Sequence, residues 1–339
     1  MNTSDIGKEL FSSYWHLVGH VSEFDEEGKY FCFEVADSQI AVFNDGQSIV
    51  AFDNVCPHRG ARIFPLGKGS RRAICPYHGW SFRAGKVIPS HAKSFVDCDL
   101  SEAALNTYFI EIYGPWVFVA QQPKMDIEEQ LQGVSRHLTD IGQRITHLAN
   151  YDSYVFECDW PLAVENALEP YHISMVHPSS LGSLRLSAGV DSFFDFASLW
   201  DASILCAKSD SNLQRVANLL AEDPLFEGYR FLYLFPFSMI SSTYSISFSV
   251  QNFFPASDSK TFFDSRLYSS RLADAEKHSE VMNIFLESTM TINRRIFAED
   301  HEICKKISSR TWNFEKLKFG AVSERKINHF RSLIAQNVQ

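Results

Sequence analysis

The sequence predicts an α+β chain in two parts. A small antiparallel β domain is expected over residues 14–122, and a larger domain over 123–339 in which an antiparallel sheet is flanked by helices. Three observations carry that prediction. Short apolar runs separated by turn residues crowd the first part, while longer β-type runs share the second with long amphipathic patterns. The two kinds of pattern do not alternate regularly, as they would in a doubly wound sheet. No glycine-rich phosphate loop follows a strand, which speaks against a nucleotide held by this chain.

In chain order, Ala41-Val42-Phe43, Ile49-Val50-Ala51-Phe52 and Trp116-Val117-Phe118-Val119-Ala120 read as strands. Asn44-Asp45-Gly46 and Gly114-Pro115 supply turn residues between such runs. Residues 123–150 read as a polar connector with helical spacing that ends near Asn150. Residues 231–254 mix Tyr and Phe with Ser and Thr in β fashion, and residues 273–309 and 323–339 read as amphipathic helices. No internal repeat or low-complexity segment is visible.

Composition narrows the function. The chain has 339 residues, enough for about two domains at roughly 150 residues each. Its 31 basic and 41 acidic side chains give a net charge of −10, against the basic face of a nucleic-acid binder. The 29 Phe residues imply a large apolar interior. No apolar run approaches the ~20 residues that cross a bilayer, and residues 1–11 lack the apolar core of a secretory leader. A soluble, cytoplasmic protein is the expectation. Seven cysteines, odd in number and scattered, make a poor disulfide framework. In a reducing compartment, cysteines that cluster with histidines read as metal ligands.

Two constellations stand out. The first is Cys56-Pro57-His58-Arg59-Gly60 and, with sixteen residues between His58 and the second half, Cys75-Pro76-Tyr77-His78-Gly79-Trp80. Each half sits in a Pro/Gly loop between β runs, so the side chains can converge. Two thiolates and two imidazoles suit zinc or an iron–sulfur centre. The tight C-x-H half departs from the x2–x4 spacing of zinc sites. In a Rieske centre Cys56 and Cys75 would bind one iron and His58 and His78 the other.

The second constellation runs from Asp159 to Pro178. Pro161 fits a first helical position, and Glu165, Asn166, Glu169 and His172 follow at helical spacing on one face. His177 comes five residues after His172, but Pro178 disfavours helical geometry at His177, so a distorted helix end could aim both imidazoles at one point. Two imidazoles and one carboxylate form the facial triad of non-haem Fe(II) oxygenases. The competing reading is two surface histidines near a helix end. For the carboxylate, Ile292, Ile296, Ile303 and Ile307 trace an apolar stripe with Asp300 in its gap. A carboxylate facing a core needs a metal or a partner, here Arg294 or Arg295 if not a metal. Glu299 and Glu302 lie off the stripe and read as solvated.

The region 14–122, with its two Cys/His halves, resembles the Rieske domain of ring-hydroxylating oxygenases. The second segment is similar to the same family's mononuclear-iron motif, E-N-x-x-(D/E)-x-Y-H-x-x-x-x-H. Phe297-Ala298-Glu299-Asp300, within a long helix, is similar to its third-ligand segment. The resemblance covers nearly the whole chain, in the expected domain order, and is to the catalytic alpha subunit. It implies a [2Fe-2S] cluster on Cys56, His58, Cys75 and His78, and an Fe(2+) ion on His172, His177 and Asp300. It also implies single electrons from a separate reductase with a flavin and/or ferredoxin donor, and O2 acting on a small-molecule substrate. Transfer between the subunits of a head-to-tail ring, most often a homotrimer, is part of the same implication. Glu169, with Asn166 a candidate catalytic residue, would bridge a neighbour's Rieske histidine to His172. The usual residue there is Asp, and Glu is shared with carnitine/choline monooxygenase-like members.

Hydroxylation or oxidative demethylation is the expected reaction, with aromatic-ring cis-dihydroxylation the alternative. Phe231, Tyr233, Phe235, Phe237, Tyr244, Phe248, Phe253 and Phe254 either line a pocket for a ring or a quaternary ammonium, or simply fill a sheet core. An electron-transfer protein needing only the Rieske third, and a structural zinc protein, are the competing classes.

Overall fold

The computed structural model describes residues 2–83, 85–220, 224–256 and 259–338. Helix α1 (Thr3–Ser13) opens the chain, and the Asn2 side chain caps it by accepting from the Asp5 N–H at 2.8 Å. Strands β1 (His16–His20), β2 (Lys29–Val35), β3 (Ser38–Asn44), β4 (Ile49–Asp53) and β5 (Gly67–Ser70) follow. A short ribbon, β6 (Ser81–Arg83) and β7 (Lys86–Ile88), precedes β8 (Thr107–Tyr113) and β9 (Trp116–Ala120). Seven strands form one antiparallel sheet in the order β1-β9-β8-β4-β3-β2-β5. The turn from β3 to β4 is the Asn-Asp-Gly turn read from the sequence. Asp45 Oδ1 accepts from the N–H groups of Gln47 and Ser48 at 2.9 and 3.0 Å, and Gly46 takes a φ of 89° that side-chain-bearing residues avoid.

The connector contains α2 (Ile127–Gln130) and α3 (Ser135–Arg144), after which β10 (Ile145–Phe156) begins. The helical spacing expected through Asn150 therefore stops at Arg144. Residues 145–156 are extended because they pair with β16 (Thr261–Ser270), and a full strand partner outweighs local propensity. The larger part continues with α4 (Trp160–Leu168), α5 (Ile173–Val176), β11 (Val190–Phe194), β12 (Ala197–Ala202) and α6 (Ala207–Leu220). Next come β13 (Tyr229–Leu234), β14 (Ser238–Thr243) and β15 (Ser247–Pro255) ahead of β16, then α7 (Ala275–Cys304) and α8 (Arg325–Asn337). The second sheet is an antiparallel meander ordered β10-β16-β15-β14-β13-β12-β11, with α4, α5 and α7 packed beside the site. The α+β class expected from the sequence is what folds.

One apolar core spans both sheets. Phe33 of β2 stacks on Phe254 of β15 with ring centroids 4.9 Å apart, and Phe11 of α1 meets Phe254 edge-on at 6.3 Å. Beside this core lies a buried charge cluster. Glu23 of the first part bonds Lys68 and the Tyr268 hydroxyl and faces Arg266, and neither the Glu23 nor the Arg266 side chain is exposed. Breaking such a pair from one side strands a buried charge, so the cluster fixes the register between the two sheets.

The long helix α7 buries Met282, Leu286, Phe297 and Cys304. Its buried stripe thus differs from the one read from isoleucines, since Ile292 and Ile307 are 45% and 40% exposed. Asp300 lies between Phe297 and Cys304, one turn from each, and so still faces inward. Among the described residues no helix is long and apolar enough to cross a membrane.

Candidate metal centres

The two Cys/His loops share one backbone frame. The Cys56 N–H donates to the Ala61 carbonyl at 2.8 Å and the Gly60 N–H to the Cys56 carbonyl at 2.9 Å; Cys75 repeats this with Trp80 at 2.7 Å and Gly79 at 3.0 Å. Gly60 and Gly79 close the loops at φ 72° and 74°, in the left-handed region that favours glycine. Both loops are therefore Cys-Pro-x-x-Gly, with the histidine at the third position in one and the fourth in the other. That difference is the origin of the unequal C-x-H and C-x-x-H spacing. Cys56 and Cys75 are buried and lie side by side. Burial pushes the Cys56 thiol up, and the N–H groups of His58 and Arg59 pull it back. The His58 and His78 rings sit 4.6 Å apart, with His58 stacked on Trp80. His58 Nδ1 is buried without a hydrogen-bond partner, an open donor atom of the kind a metal would fill. The residues fit a cluster held by two sulfurs and two imidazoles.

The second centre forms where α4 stops. Pro170 disfavours helix at the residue before it, and Glu169 takes extended angles, φ −111° and ψ 135°. The single helical face expected for Glu165, Asn166, Glu169 and His172 is consequently broken. Glu165 turns instead to Arg331 of α8, with bonds of 2.7 and 2.8 Å, and to the Trp312 Nε1–H at 2.7 Å. Glu169, freed from the helix, accepts from the His172 N–H at 3.0 Å and meets its Nδ1 at 2.7 Å. One turn of α5 follows. His177 leaves helical geometry ahead of Pro178, at φ −115° and ψ 41°.

This break lets both imidazoles point the same way. The two Nε2 atoms are 3.2 Å apart, and Asp300 Oδ1 lies 3.0 Å from that of His177 and 3.5 Å from that of His172. The three ligand-type atoms fall within 4.8 Å of one another. Asn166 donates to Asp300 Oδ1 at 2.8 Å. Arg294 is paired with Asp152 and Arg295 with Glu299, so neither takes Asp300 as its partner. Each histidine presents Nδ1 to a carboxylate, which orients the ring and leaves Nε2 for the shared point. Two imidazole nitrogens and one carboxylate oxygen converging in this way fit the donor set of a facial triad.

Glu299 is a correction to the sequence reading. It is not solvated: its side chain is 22% exposed, and it bonds His177 Nδ1 at 2.8 Å, the Ser180 hydroxyl at 2.6 Å and Arg295 at 2.9 Å. Burial would raise its pKa, but Ser180, His177 and Arg295 together hold it below the usual range. Glu302 is exposed and paired with Lys305, as a solvated residue would be. A single apolar stripe gives no sign of Ser180 and places Glu299 in solvent; Glu299 sits beside Asp300 and four residues after Arg295, and that spacing is the available signal. Glu299→Ala should free the His177 ring and weaken iron retention by about 10–100-fold. Equilibrium dialysis against a graded chelator measures this, and wild-type retention would contradict it.

Burial lowers the His172 pKa, but hydrogen bonds and charge from Asp300 and Glu169 outweigh it and lift the ring to about 9. Burial likewise opposes ionisation of Asp300, and the two imidazoles overcome it. A metal must displace the His172 proton. Affinity for Fe(II) should therefore rise as pH climbs towards 9, and fall by about tenfold per unit below it. Anaerobic Fe(II) titration of metal-free protein between pH 6.5 and 9 gives the slope, and an affinity flat over that window would overturn the assignment.

A cavity of about 330 Å³ opens onto His172, His177 and Asp300 between α4, α7 and the second sheet. It is the size of a small-molecule site. Of the eight aromatic residues read from 231–254, Phe231 and Phe253 line it, while the other six are buried in the core. Tyr229, which the sequence did not single out, also lines the wall.

Comparison with known proteins places these features. A family model described as the Rieske [2Fe-2S] domain matches residues 14–98. One described as the ring hydroxylating alpha subunit (catalytic domain) matches residues 145–339, more than half of the chain. The glycine betaine monooxygenase oxygenase subunit of Chromohalobacter salexigens is 31% identical over 182 residues, covering 52% of this chain and 41% of that protein. The carnitine monooxygenase oxygenase subunit of Escherichia coli K12 is 27% identical over 187 residues, covering 53% and 50%. The matched segment thus spans half or less of these relatives' length. The crystal structure of the quaternary ammonium Rieske monooxygenase CntA with L-carnitine superposes with a TM-score of 0.77 at 20% identity, over 99% of this chain and 92% of that one. Naphthalene 1,2-dioxygenase from Rhodococcus sp. bound to indole gives 0.68 at 16%, over 99% and 92%. At these identities the likeness establishes the fold.

Proposed function

The chain belongs to the ring-hydroxylating alpha-subunit family, with a Rieske [2Fe-2S] domain ahead of its catalytic domain, and on that premise we propose that it is the oxygenase component of a multicomponent system. It takes electrons from a separate reductase, through a flavin and/or ferredoxin donor, and uses O2 to hydroxylate or oxidatively demethylate a small organic substrate. The observation that carries this reading is the convergence of His172, His177 and Asp300 at the wall of a ligand-sized cavity. The two relatives matched by sequence above are monooxygenase subunits, which favours this reaction over cis-dihydroxylation. The Rieske unit then occupies residues 14–122 and the catalytic unit 123–339.

Cys56, His58, Cys75 and His78 would hold the [2Fe-2S] cluster, and His172, His177 and Asp300 the Fe(2+) ion. When bound, the cluster supplies single-electron transfer and the iron supplies O2 activation. The chain's own residues do the positioning. Glu169 and Glu299 fix the two imidazole rings through Nδ1, Asn166 fixes Asp300, and the apolar lining keeps bulk water from the reacting centre. His78 is exposed on its loop. Tyr171 and Met175, on either side of His172, are 70% and 83% exposed. Large apolar side chains left open beside a polar site are the kind of surface a partner covers. We read these two surfaces as meeting between neighbouring copies in a homotrimeric ring, with Glu169 bridging a neighbour's His78 to His172.

The test is a single turnover. Protein reduced chemically in the absence of O2 is mixed with O2 and candidate substrates, and oxygenated product is measured by mass alongside cluster reoxidation. Product at no more than the level of unreduced protein, across a broad substrate panel, would end the oxygenase reading. Glu169→Gln keeps the side-chain length but loses the charge. It should leave both metal sites filled and slow substrate-dependent reoxidation by about 10–100-fold; wild-type reoxidation would reduce Glu169 to a local helix-end carboxylate.

A further inference from the structure

The cavity wall formed by the sheet departs from the usual habit of a covered sheet. Along β15, Phe248 and Val250 point into a buried apolar cluster, while Ser247, Ser249, Gln251 and Phe253 line the cavity. A sheet face covered by helices is ordinarily apolar, and polar residues at such positions weaken a core unless they serve a function. The neighbouring strand continues the pattern: Ser241 stands opposite Ser249 and Met239 opposite Gln251, and both β14 residues line the cavity.

These groups are connected. Gln251 Nε2 donates to Ser249 Oγ at 2.8 Å and to Ser241 Oγ at 3.4 Å. Asn293 Nδ2 of α7 reaches Ser249 Oγ at 3.4 Å. Tyr229 lines the same wall near Ser241, and burial keeps its hydroxyl protonated, its pKa pushed up to about 12. The patch therefore runs across β13, β14, β15 and α7 and is neutral throughout. Hydroxyls in it can both donate and accept.

The charges around it matter as much. Among the described residues that line the cavity, none is Lys or Arg. Its two carboxylates, Glu169 and Asp300, already face the imidazoles, and they match the charge of the divalent ion those residues would hold. An anion entering this space would shed its water and find no Lys or Arg to pair with, while the charge of the divalent ion is already matched by the two carboxylates. Leaving a charge buried and unpaired is costly, and such a cost rejects a ligand. A neutral group that satisfies the patch meets no such penalty, and a site built to hydrogen-bond discriminates strongly against ligands that leave it unpaired.

Resting on the oxygenase reading above, we propose that the substrate carries no anionic group: an apolar body lies against Phe231 and Phe253, and one neutral hydroxyl, carbonyl or amide function bonds the patch formed by Gln251, Ser249 and Ser241. This separates the chain's substrate from the carboxylate-bearing compounds named for two of its relatives.

Two matched pairs test the proposal on the metal-loaded protein: glycine betaine against choline, and phenylacetate against 2-phenylethanol. Each pair differs in a carboxylate replaced by an alcohol. Anaerobic calorimetric titration should show the alcohol binding at least tenfold tighter in at least one pair and the carboxylate favoured in neither. Gln251→Leu and, separately, Ser241→Ala should weaken binding of the preferred alcohol at least tenfold, with iron content and cluster absorbance as in the wild type. A carboxylate that binds as well as its alcohol, no binding by either alcohol, or alcohol binding undiminished in both variants would overturn the proposal. The two readings fail separately. If the alcohol binds more tightly but reduced protein oxygenates nothing in the broad panel, the oxygenase reading fails and this one stands, whereas efficient oxygenation of a carboxylate member does the reverse.

Discussion

Asp300→Ala should lose one iron per chain while the cluster spectrum stays intact. Asp300 Oδ1 is the only carboxylate oxygen of the three-atom convergence among the described residues, and Asn166 donates to it. Removing it leaves two imidazole nitrogens 3.2 Å apart with no carboxylate ligand, so the donor set falls below what a facial triad requires. Partners that merely orient a ligand are worth about 10–100-fold, so loss of a ligand itself should lower turnover by more than about 100-fold. Metal analysis and visible absorbance, measured on one preparation, separate the two centres. The matched control is Glu299→Ala, which weakens retention but keeps the donor set. If Glu299→Ala emptied the site and Asp300→Ala did not, the two carboxylates would have to exchange roles.

Much of this arrangement is legible in the sequence, for reasons that can be located. The Rieske loops are readable because Cys-Pro-x-x-Gly encodes its own turn: proline and a positive-φ glycine fix the backbone whatever surrounds it. The strands of 231–254 are readable because each pairs with its neighbour in sequence. By contrast, residues 145–150 carry a helical pattern but pair with a strand more than 110 positions later, and no local signal reports so distant a partner. The helix end at Glu169 was only half read. Pro170 announces a disturbance, but whether the carboxylate stays on the helical face or swings to His172 depends on α7 arriving from far along the chain. Glu299 is the clearest case. Helical spacing placed it off the apolar stripe, and only the fold puts His177 and Ser180 beside it. The polar cavity face escaped for a related reason: alternation in β15 shows that its two faces differ, but only the packed structure shows that the Ser249 and Gln251 face meets a cavity rather than solvent.

Cys75→Ser should abolish the cluster, with loss of the brown colour and of the rhombic EPR signal of the reduced protein. Cys75 is buried beside Cys56, and serine offers a poorer, protonated oxygen where a thiolate is needed. The loop itself should survive, because its frame rests on the backbone bonds to Trp80 and Gly79 rather than on the sulfur. The mononuclear centre, built from α4, α5 and α7, should keep its iron. Turnover with an electron donor should fall by more than about 100-fold, because a missing ligand exceeds the 10–100-fold effect of a missing supporting partner. Retention of the EPR signal with full iron content would remove Cys75 from the ligand set. The variant also tests the route of the electrons. Mixed oligomers of Cys75→Ser and Asp300→Ala chains pair an intact mononuclear site on one chain with an intact cluster on the next. If electrons cross between copies at Glu169 and His78, such mixtures recover part of the activity that neither variant has alone. If confirmed mixed oligomers stay inactive, transfer runs within one chain, and the exposed surfaces at His78 and Met175 need another explanation.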